Sequence, residues 1–234
     1  MVTQPDTTGE NDQTALFKRN EGDAWFRRNR TAQQQSGPSH EINVIEDVLG
    51  CFRSEIGNIL EIGCGDGRKT ERMAGFFQAR GVGIDPSTEA IAAGNERLRE
   101  ARNAAVALSV GTADELPFDA GQFDLVHFGF SLYLVARERI FLSLAQADRV
   151  LRPGGFLTIF DFDPAAMHKR VYSHRPGVFS FKARYEEWFV ATGHYHVVIK
   201  RSFSHASVDF SKDDNERIAV TVLYKEPEAY PLRD

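Results

Sequence analysis

From Asn58 onward, short apolar runs alternate with amphipathic segments along the chain. The apolar runs are 58–63, 81–85, 105–111, 123–130 and 156–163, and each predicts a buried strand. The segments between them carry apolar residues at helical spacing, as 137–151 does with Ile140, Leu144, Ala147 and Leu151. Strict alternation of this kind predicts a parallel sheet that is covered by helices on both faces.

The residues before Asn58 predict a tail and two helices. Residues 1–13 are polar and are expected to be disordered. Asp23 can cap a helix that Gly37-Pro38 would stop, and Ser39 can cap a second helix with an apolar face. We therefore expect a helical cap over 14–55, followed by one main domain over 56–234.

The last third of the chain departs from the alternation. Residues 162–180 form an irregular, aromatic and basic connection, which we interpret as an insertion that builds a substrate pocket. A helix is predicted over 181–193. The β-rich runs 195–204 and 217–226 have no helix between them and predict an antiparallel hairpin. The predicted fold is α/β, with a Rossmann-like, seven-stranded, mostly parallel sheet and this C-terminal hairpin.

Composition narrows the partners and the compartment. The 234 residues carry a formal net charge of −5, which gives no electrostatic reason to expect nucleic acid or an anionic membrane as partner. Cys51 and Cys64 are too few for a disulfide scaffold and fit a reducing compartment. The polar start does not resemble a secretory signal, and no apolar run predicts a membrane span. We expect a cytoplasmic protein, and a homodimer is compatible with the sequence.

Three alternating glycines, Gly63, Gly65 and Gly67, join the first strand to the next helix. A triphosphate loop would place Lys-Ser/Thr directly after the last glycine, and this chain does not. A dinucleotide loop reads G-x-G-x-x-G, whereas this one reads G-x-G-x-G and contains Asp66, whose carboxylate would repel a pyrophosphate. Glu61 adds to the acidic field, so the loop suits a ligand with a positive centre.

Asp85 ends the second predicted strand. A carboxylate at this place can accept hydrogen bonds from two ribose hydroxyls, or it can cap the following helix. Asp85 alone does not distinguish a nicotinamide dinucleotide from another adenosine ligand. The closing hairpin and the lack of a second dinucleotide-binding half disfavour the nicotinamide dinucleotide.

Four segments in order resemble the successive motifs of class I S-adenosylmethionine-dependent methyltransferases, closest to the small-molecule group called type 11. They are "LEIGCGDGR", "GVGIDPS", "GTADELPFDAGQFDLVHFGFSLYLV" and "RVLRPGGFLTIFDFD". The resemblance covers roughly residues 55–162. It implies S-adenosylmethionine as cofactor, S-adenosylhomocysteine as product and no metal.

By this resemblance, one set of residues would hold the cofactor. Glu61 would help to hold the methionine amino group, Asp85 would bind the ribose, and Phe128 and Gly129 would pass beside the sulfonium. Thr112 stands where the family often has an acidic residue for the adenine amino group. Asp114 is a candidate substitute for that residue, and the alternative is that it caps a short helix. The full set is Glu61, Gly63, Cys64, Gly65, Asp85, Pro86, Thr112, Ala113, Asp114, Phe128 and Gly129.

The acceptor is expected to be a small polar molecule. The fourth strand is followed neither by a D/N-P-P-Y motif, which clamps exocyclic amines of bases, nor by a Pro-Cys pair, and no basic stripe tracks phosphates. Substrate contacts are predicted from Trp25, Arg28, Tyr133, Tyr172, Arg175 and Tyr185, and the candidate bases are His174, His168 and Asp161.

Several functions are compatible with these observations. The favoured one is O-methylation of a sugar or another anionic or hydroxylated acceptor. The rivals are C-methylation of a quinone-like ring, a protein that binds the cofactor without transferring methyl, and a nicotinamide oxidoreductase.

Overall fold

A computed structural model describes residues 12–35 and 39–232. Most of the predicted N-terminal tail and the predicted Gly37-Pro38 helix stop lie outside these residues. The end of that tail is helical, because Asp12 caps a helix by accepting a hydrogen bond from the Thr14 amide (3.1 Å).

Nine strands follow one another along the described chain. In order they are β1 Asn58–Ile62, β2 Arg80–Asp85, β3 Val106–Val110, β4 Phe123–Gly129, β5 Leu151–Phe162, β6 His168–Val171, β7 Phe179–Lys182, β8 Tyr195–Ser204 and β9 Arg217–Lys225. Seven of them form one sheet in the order β3-β2-β1-β4-β5-β9-β8. The first five are parallel, and β9 and β8 are antiparallel, which confirms the predicted sheet and hairpin.

Helices cover both faces of this sheet. The α-helices are α1 Gln13–Leu16, α2 Gly22–Gln35, α3 His40–Leu49, α4 Arg68–Phe77, α5 Thr88–Glu100, α6 Ile140–Val150 and α7 Glu186–Ala191. Leu125 and Phe156 face α3 and α4, whereas Val126 and Leu157 face α6 and α7. Two apolar layers therefore sandwich the sheet, as period-2 alternation along β4 and β5 requires.

The N-terminal helical region is longer than predicted. It begins at Gln13 and runs through a π-helical turn, Phe17–Glu21, into α2, so Asp23 lies inside the helical segment and does not start it. Leu16 and Phe17 pack with Tyr172 and Val178 in a small apolar cluster. This tertiary burial explains why local capping signals misplaced the start of the helix.

The segment after β5 is more regular than predicted. Its strands β6 and β7 form a two-stranded antiparallel ribbon, and the predicted helix over 181–193 is shortened to α7 because Phe181 and Lys182 belong to β7. Leu151 pairs with Phe123 and Phe156 pairs with Leu125, so the Arg152–Gly155 segment is a bulge within β5. No helix in the described ranges has the length and apolar character needed to cross a bilayer.

Candidate functional site

A cavity of about 750 Å³ lies at the carboxyl ends of β1, β2 and β4. This volume falls within the roughly 300–1,000 Å³ that is typical of small-molecule sites. Ten of the eleven residues predicted to hold the cofactor line it: Glu61, Gly63, Cys64, Gly65, Asp85, Pro86, Thr112, Ala113, Asp114 and Gly129. We call this part of the wall the cofactor half.

The glycine loop presents bare backbone to the cofactor half. Gly63 and Gly65 have φ of +81° and +55°, a left-handed conformation that glycine adopts without steric cost. A Cβ on Gly65 would meet no heavy atom within 4 Å, so the loop is open toward the cavity there. A ligand can therefore approach the main chain closely.

Asp85 fixes the loop to the end of β2. Its Oδ2 accepts a hydrogen bond from the Gly65 amide and its Oδ1 accepts one from the Ser87 amide, both at 2.9 Å. Burial raises the pKa of this carboxyl to about 6, although the two amide donors act against the shift. The residue that caps α5 is Ser87, whose Oγ accepts from the Ala90 amide (3.0 Å).

Glu61 is 1% exposed and lies on the face of β1 toward α4. Its Oε2 accepts a hydrogen bond from Thr70 Oγ1 at 2.5 Å. Burial raises the pKa of Glu61 to about 7, and the nearby Lys69 charge only partly opposes this. A positively charged ligand group beside Glu61 would favour the ionised carboxylate.

The β3–β4 connection supplies the third part of the cofactor half. Thr112 Oγ1 is buried and has no hydrogen-bond partner among the described residues, so a ligand amino group would satisfy it. Asp114 Oδ2 lies 3.3 Å from Arg139 Nη1. The alternative role of Asp114 as a helix cap was wrong, because Thr112 and Glu115 form a short bridge there and no helix begins.

Phe128 is the predicted cofactor residue that does not line the cavity. Its side chain is fully buried in the apolar layer toward α6, because β4 alternates and Gly129 takes the cavity side. His127 points to the opposite face, with Nδ1 2.8 Å from Thr158 Oγ1, and burial lowers its pKa to about 3. His127 is therefore neutral and structural.

The three predicted bases lie away from the cavity. His168 belongs to β6, where its Nδ1 contacts the Ala166 carbonyl (2.9 Å), and His174 is an exposed residue beside Tyr172. Asp161 is buried on the α7 face of β5, where it accepts hydrogen bonds from the Phe162 (2.8 Å) and Tyr133 (3.2 Å) amides. Burial raises the pKa of Asp161 to about 7, but its contacts anchor the turn after β4 and do not reach the cavity.

Three predicted substrate residues form a structural ion network instead. Arg28 donates to the buried Glu21 (2.6 Å) and to the Tyr172 hydroxyl (2.8 Å), and Arg175 lies 3.6 Å from the same Glu21 carboxylate. This network joins the 162–180 segment to the N-terminal helices. None of that segment's residues lines the cavity, so the predicted acceptor-pocket insertion is not at the pocket.

Of the three remaining predicted substrate residues, one lines the cavity and two do not. Trp25 lines the cavity, whereas Tyr133 and Tyr185 are buried beside it or behind it and do not. The Tyr185 hydroxyl donates to the Leu132 carbonyl (3.2 Å). Burial raises the pKa of both phenols, so neither is poised to act as a base near neutral pH.

An aromatic wall that the sequence interpretation missed completes the cavity. It consists of Phe130, Phe160, Phe203 and His205, with Ile218 beside them, and we call it the aromatic pocket. Phe130 and Phe160 stand at the carboxyl ends of their strands, which is the signal that would have found them. Phe203 and His205 come from the distant hairpin, and no local pattern marks them.

The described residues contain no cluster of three or more metal-ligating side chains.

The order of the strands in the sheet bears on which adenosine ligand is bound, a question that Asp85 alone did not answer. A dinucleotide fold continues with parallel strands beyond the fifth, whereas here β5 is followed in the sheet by the antiparallel β9 and β8. Residues 59–155 match the protein family described as methyltransferase domain. Over residues 59–155, this chain is a class I S-adenosylmethionine-dependent methyltransferase domain.

Similar proteins include enzymes named as O-methyltransferases and as C-methyltransferases. A demethylmenaquinone methyltransferase of Listeria welshimeri is 36% identical over 119 residues, covering 50% of this chain and 50% of that protein. An O-methyltransferase of Penicillium expansum is 33% identical over 105 residues, covering 44% of this chain and 37% of that protein. The chain spans half or less of the length of the curated relatives it matches.

The methyltransferase fold extends beyond the matched segment. The crystal structure of Burkholderia thailandensis 1,6-didemethyltoxoflavin-N1-methyltransferase, with its substrate and S-adenosylhomocysteine bound, has a TM-score of 0.70 at 16% identity. The likeness covers 96% of this chain and 93% of that one. The N-terminal helices and the C-terminal hairpin therefore belong to the same overall architecture as the matched core.

The residues of the cofactor half fit S-adenosylmethionine. Two carboxyls with raised pKa values, Glu61 and Asp85, favour a positively charged ligand that also carries hydroxyl donors. The bare backbone at Gly65 allows the cofactor to approach the main chain closely. The unpartnered hydroxyl of Thr112 is available to contact the adenine. These are the features that a pyrophosphate would not use.

Proposed function

We propose that this protein transfers the methyl group of S-adenosylmethionine to a hydroxyl oxygen of a small molecule bound in the aromatic pocket. The observation that carries the proposal is the continuity of the cofactor half and the aromatic pocket within one cavity, with Gly129 and Phe130 at their junction. A methyl donor in one half and an acceptor in the other would meet at the end of β4.

The chain's own residues would divide the binding of the cofactor. Asp85 would accept the ribose hydroxyls, Glu61 would face the amino group, and Thr112 would contact the adenine amino group. When bound, the cofactor supplies a methyl carbon on a positively charged sulfur, which an acceptor attacks in line. Trp25 and Phe17, which also line the cavity, would exclude water from that side.

The acceptor oxygen would form the new C–O bond as the C–S bond breaks, and the electron pair of that bond would remain on sulfur. The hydroxyl proton needs a base. His205 is the candidate in the aromatic pocket: its ring centroid lies 5.5 Å from that of Phe130, and its backbone amide is fixed by the Glu216 carbonyl (2.7 Å). We propose that His205 takes this proton, in place of His168 and His174.

Carbon methylation of a quinone-like ring is the second candidate. The 36% identical relative is named for demethylmenaquinone, and the acceptor side of the cavity is apolar and aromatic. This reaction forms a C–C bond and does not need His205 to receive a hydroxyl proton. Loss of His205 would therefore affect the two candidate reactions differently.

The chain's charge supports a small-molecule partner. Its formal net charge of −5 gives no electrostatic attraction for nucleic acid, and we propose that a cytoplasmic metabolite is the acceptor.

The test is incubation of the purified protein with methyl-labelled S-adenosylmethionine and a small-molecule extract of the source organism. We expect a labelled product heavier than its precursor by one methylene, together with S-adenosylhomocysteine. Binding of S-adenosylhomocysteine in a calorimetric titration without any labelled product would contradict methyl transfer and indicate a binding protein. Binding of NAD in preference to S-adenosylmethionine would contradict the cofactor assignment.

A further inference from the structure

The aromatic pocket has a geometry suited to a flat ligand. Ring centroids lie 5.1 Å apart for Phe130 and Phe160, with planes tilted by 37°, and 6.0 Å apart for Phe160 and Phe203, with the same tilt. His205 adds a fourth ring beside Phe130. At these separations the rings pack on one another and form one continuous aromatic surface, against which a flat ligand in the cavity would stack.

Phe130 is held in an unusual backbone conformation. Its φ is +64°, a left-handed value that a bulky residue adopts only when its surroundings enforce it. The Phe130 amide donates to the Phe160 carbonyl (2.9 Å), and its ring also packs on Tyr133 and Phe162. The fold thus accepts backbone strain in order to place this ring, partly exposed, at the junction of the two halves of the cavity.

The cationic side chains of the lining are already neutralised. Lys69 pairs with Glu41 (2.5 Å), Arg72 pairs with Glu46 (2.5 Å), and Arg68 pairs with Asp66 (3.0 Å). An anionic acceptor would therefore meet no unpaired cation in the described lining, and binding it would disrupt an existing ion pair. The arginines predicted to bind an anion, Arg28 and Arg175, pair with Glu21 outside the cavity.

A sugar would also be poorly matched. Phe130, Phe160, Phe203 and Ile218 offer no side-chain hydrogen-bonding group, and Ser204 and Ser207 with the His205 ring supply few partners for several hydroxyls. Lys69 Nζ lies 5.2 Å from the centroid of the Phe160 ring, but it is already paired with Glu41. A site that leaves most hydroxyls of its ligand unpaired loses affinity for that ligand. An uncharged ring with one or two hydroxyls would avoid this cost.

We infer that the methyl acceptor is an uncharged, planar aromatic or heteroaromatic molecule that stacks against Phe130 in the aromatic pocket. This inference rests on the proposed function, since it describes the acceptor of the same transfer. It replaces the sugar or anion expected from the sequence with a ring. Phe130 is then a specificity-determining residue that touches the substrate.

The labelled product from the extract tests the acceptor class directly. We expect the product to absorb in the near ultraviolet as an aromatic compound and to carry no charge near neutral pH. A labelled sugar, sugar phosphate or aliphatic acid would overturn the inference while leaving methyl transfer established. No labelled product, with S-adenosylhomocysteine bound, would mean that the proposed function itself fails, and the inference with it.

The variant Phe130→Gly tests the stacking residue. Glycine removes the ring and relieves the left-handed strain, so we expect the variant to fold, with a melting temperature checked by calorimetry. We expect its affinity for S-adenosylhomocysteine to change by less than about twofold, and its KM for the identified acceptor to rise about tenfold or more, as loss of one stacking contact implies.

The control is Phe141→Ala, which removes a phenylalanine ring that is 66% exposed on α6 and does not line the cavity. It should leave KM unchanged. An unchanged KM in folded Phe130→Gly, or equal weakening of cofactor and acceptor, would contradict the assigned role of Phe130.

Discussion

The two buried carboxyls of the cofactor half give the site its pH dependence. Glu61 and Asp85 have pKa values raised to about 7 and about 6, chiefly by burial, so both gain protons within the range in which most enzymes are assayed. A protonated Glu61 no longer attracts an ammonium group. A protonated Asp85 accepts hydrogen bonds from hydroxyls less well. The ionised forms are therefore the ones that bind the proposed cofactor.

We predict opposite pH dependences for cofactor affinity and for the stability contributed by Glu61. Because its folded-state pKa lies above the ordinary 4.5, the folded chain binds more protons than the unfolded one, and this contribution falls as pH rises from about 4.5 to about 7. Cofactor affinity should rise from about pH 5.5 to about pH 8. Calorimetric titrations and denaturant unfolding across this range measure both, each compared with Glu61→Gln. Parallel trends for the two quantities in the wild type would contradict this account.

His205 has a separate and sharper test. His205→Gln should leave the affinity for S-adenosylhomocysteine unchanged and lower kcat for a hydroxyl acceptor by about 10²-fold or more, as expected for loss of a general base. His174→Gln is the matched control and should retain full activity, because His174 does not line the cavity. Equal kcat for His205→Gln and the wild type would favour carbon methylation.

Helix α2 contacts the start of α5 mainly through the side chain of Asp23. Asp23 accepts hydrogen bonds from Ser87 Oγ (2.7 Å), Thr88 Oγ1 (3.0 Å) and the Glu89 amide (3.0 Å). It therefore provides an acceptor for the free Glu89 amide in the first turn of α5, a helix that lies more than 60 residues further along the chain. The close approach is visible at Gly22, where a Cβ would lie 3.1 Å from the Ser87 nitrogen.

Asp23→Ala should lower the free energy of unfolding by about 1 kcal/mol, the usual effect of losing a helix cap. Hydrogen exchange at the Glu89 amide should become faster, because that amide loses its acceptor. Arg27→Ala, on the same helix, removes an exposed ion pair with Glu89 and an exposed hydrogen bond to the Asp23 carbonyl (3.3 Å), and it should change stability by a few tenths of a kcal/mol. A larger effect from Arg27→Ala than from Asp23→Ala would contradict the importance of the Asp23 contacts.

Strands and helices with a regular pattern of apolar residues could be predicted from the sequence. Elements whose position depends on contacts with residues distant in the chain could not. Strands β1, β2, β4 and β5 lie inside the sheet between two helical layers, so each reads as an apolar run in the sequence. The edge strand β3 alternates between buried and exposed residues at its start, with Val106 and Leu108 buried. The β6–β7 ribbon is largely exposed on one strand, and Lys169 and Arg170 gave it no apolar pattern. Its position is set by tertiary contacts such as that of Tyr172 with Arg28.

The candidate site likewise has one part that could be predicted from the sequence and one part that could not. The cofactor half comes from residues next to glycines and strand ends, where loop chemistry is local and readable. The aromatic pocket joins the ends of β4 and β5 to the β8–β9 connection, and the residues that meet there lie up to 75 positions apart, as Phe130 and His205 do. The error over Arg28 and Arg175 has one physical cause: their partner, Glu21, is a buried acid that sequence alone did not mark.

Besides its strand pairing with β5, the C-terminal hairpin is attached to the end of α6 and the start of β5 by side-chain hydrogen bonds. Lys225 is 5% exposed, and its Nζ donates to the carbonyls of Asp148 (2.6 Å) and Leu151 (3.1 Å) and lies 2.9 Å from the Asp148 carboxylate. The Tyr195 hydroxyl donates to the same carboxylate (2.6 Å). These bonds attach the hairpin to the parallel part of the fold, on the side away from the cavity.

Lys225→Met should destabilise the protein by about 1–3 kcal/mol, because it leaves buried acceptors without a donor. Affinity for S-adenosylhomocysteine should stay the same, since Lys225 does not line the cavity. Lys212→Met, at an exposed lysine, provides the baseline. Denaturant unfolding and calorimetry separate the two quantities, and a loss of affinity without a loss of stability would contradict this assignment.

The cavity wall is built from short segments that lie as far apart in the chain as Thr14 and Ile218, so the cavity exists only when the chain is folded. A ligand of this cavity binds only the folded state. At a free ligand concentration one hundredfold above Kd, this binding adds about 2.7 kcal/mol to the free energy of unfolding. That gain is comparable to the effect of a damaging substitution. We therefore expect the cellular abundance of this protein to follow the supply of its methyl donor, with starved cells degrading it faster than replete ones.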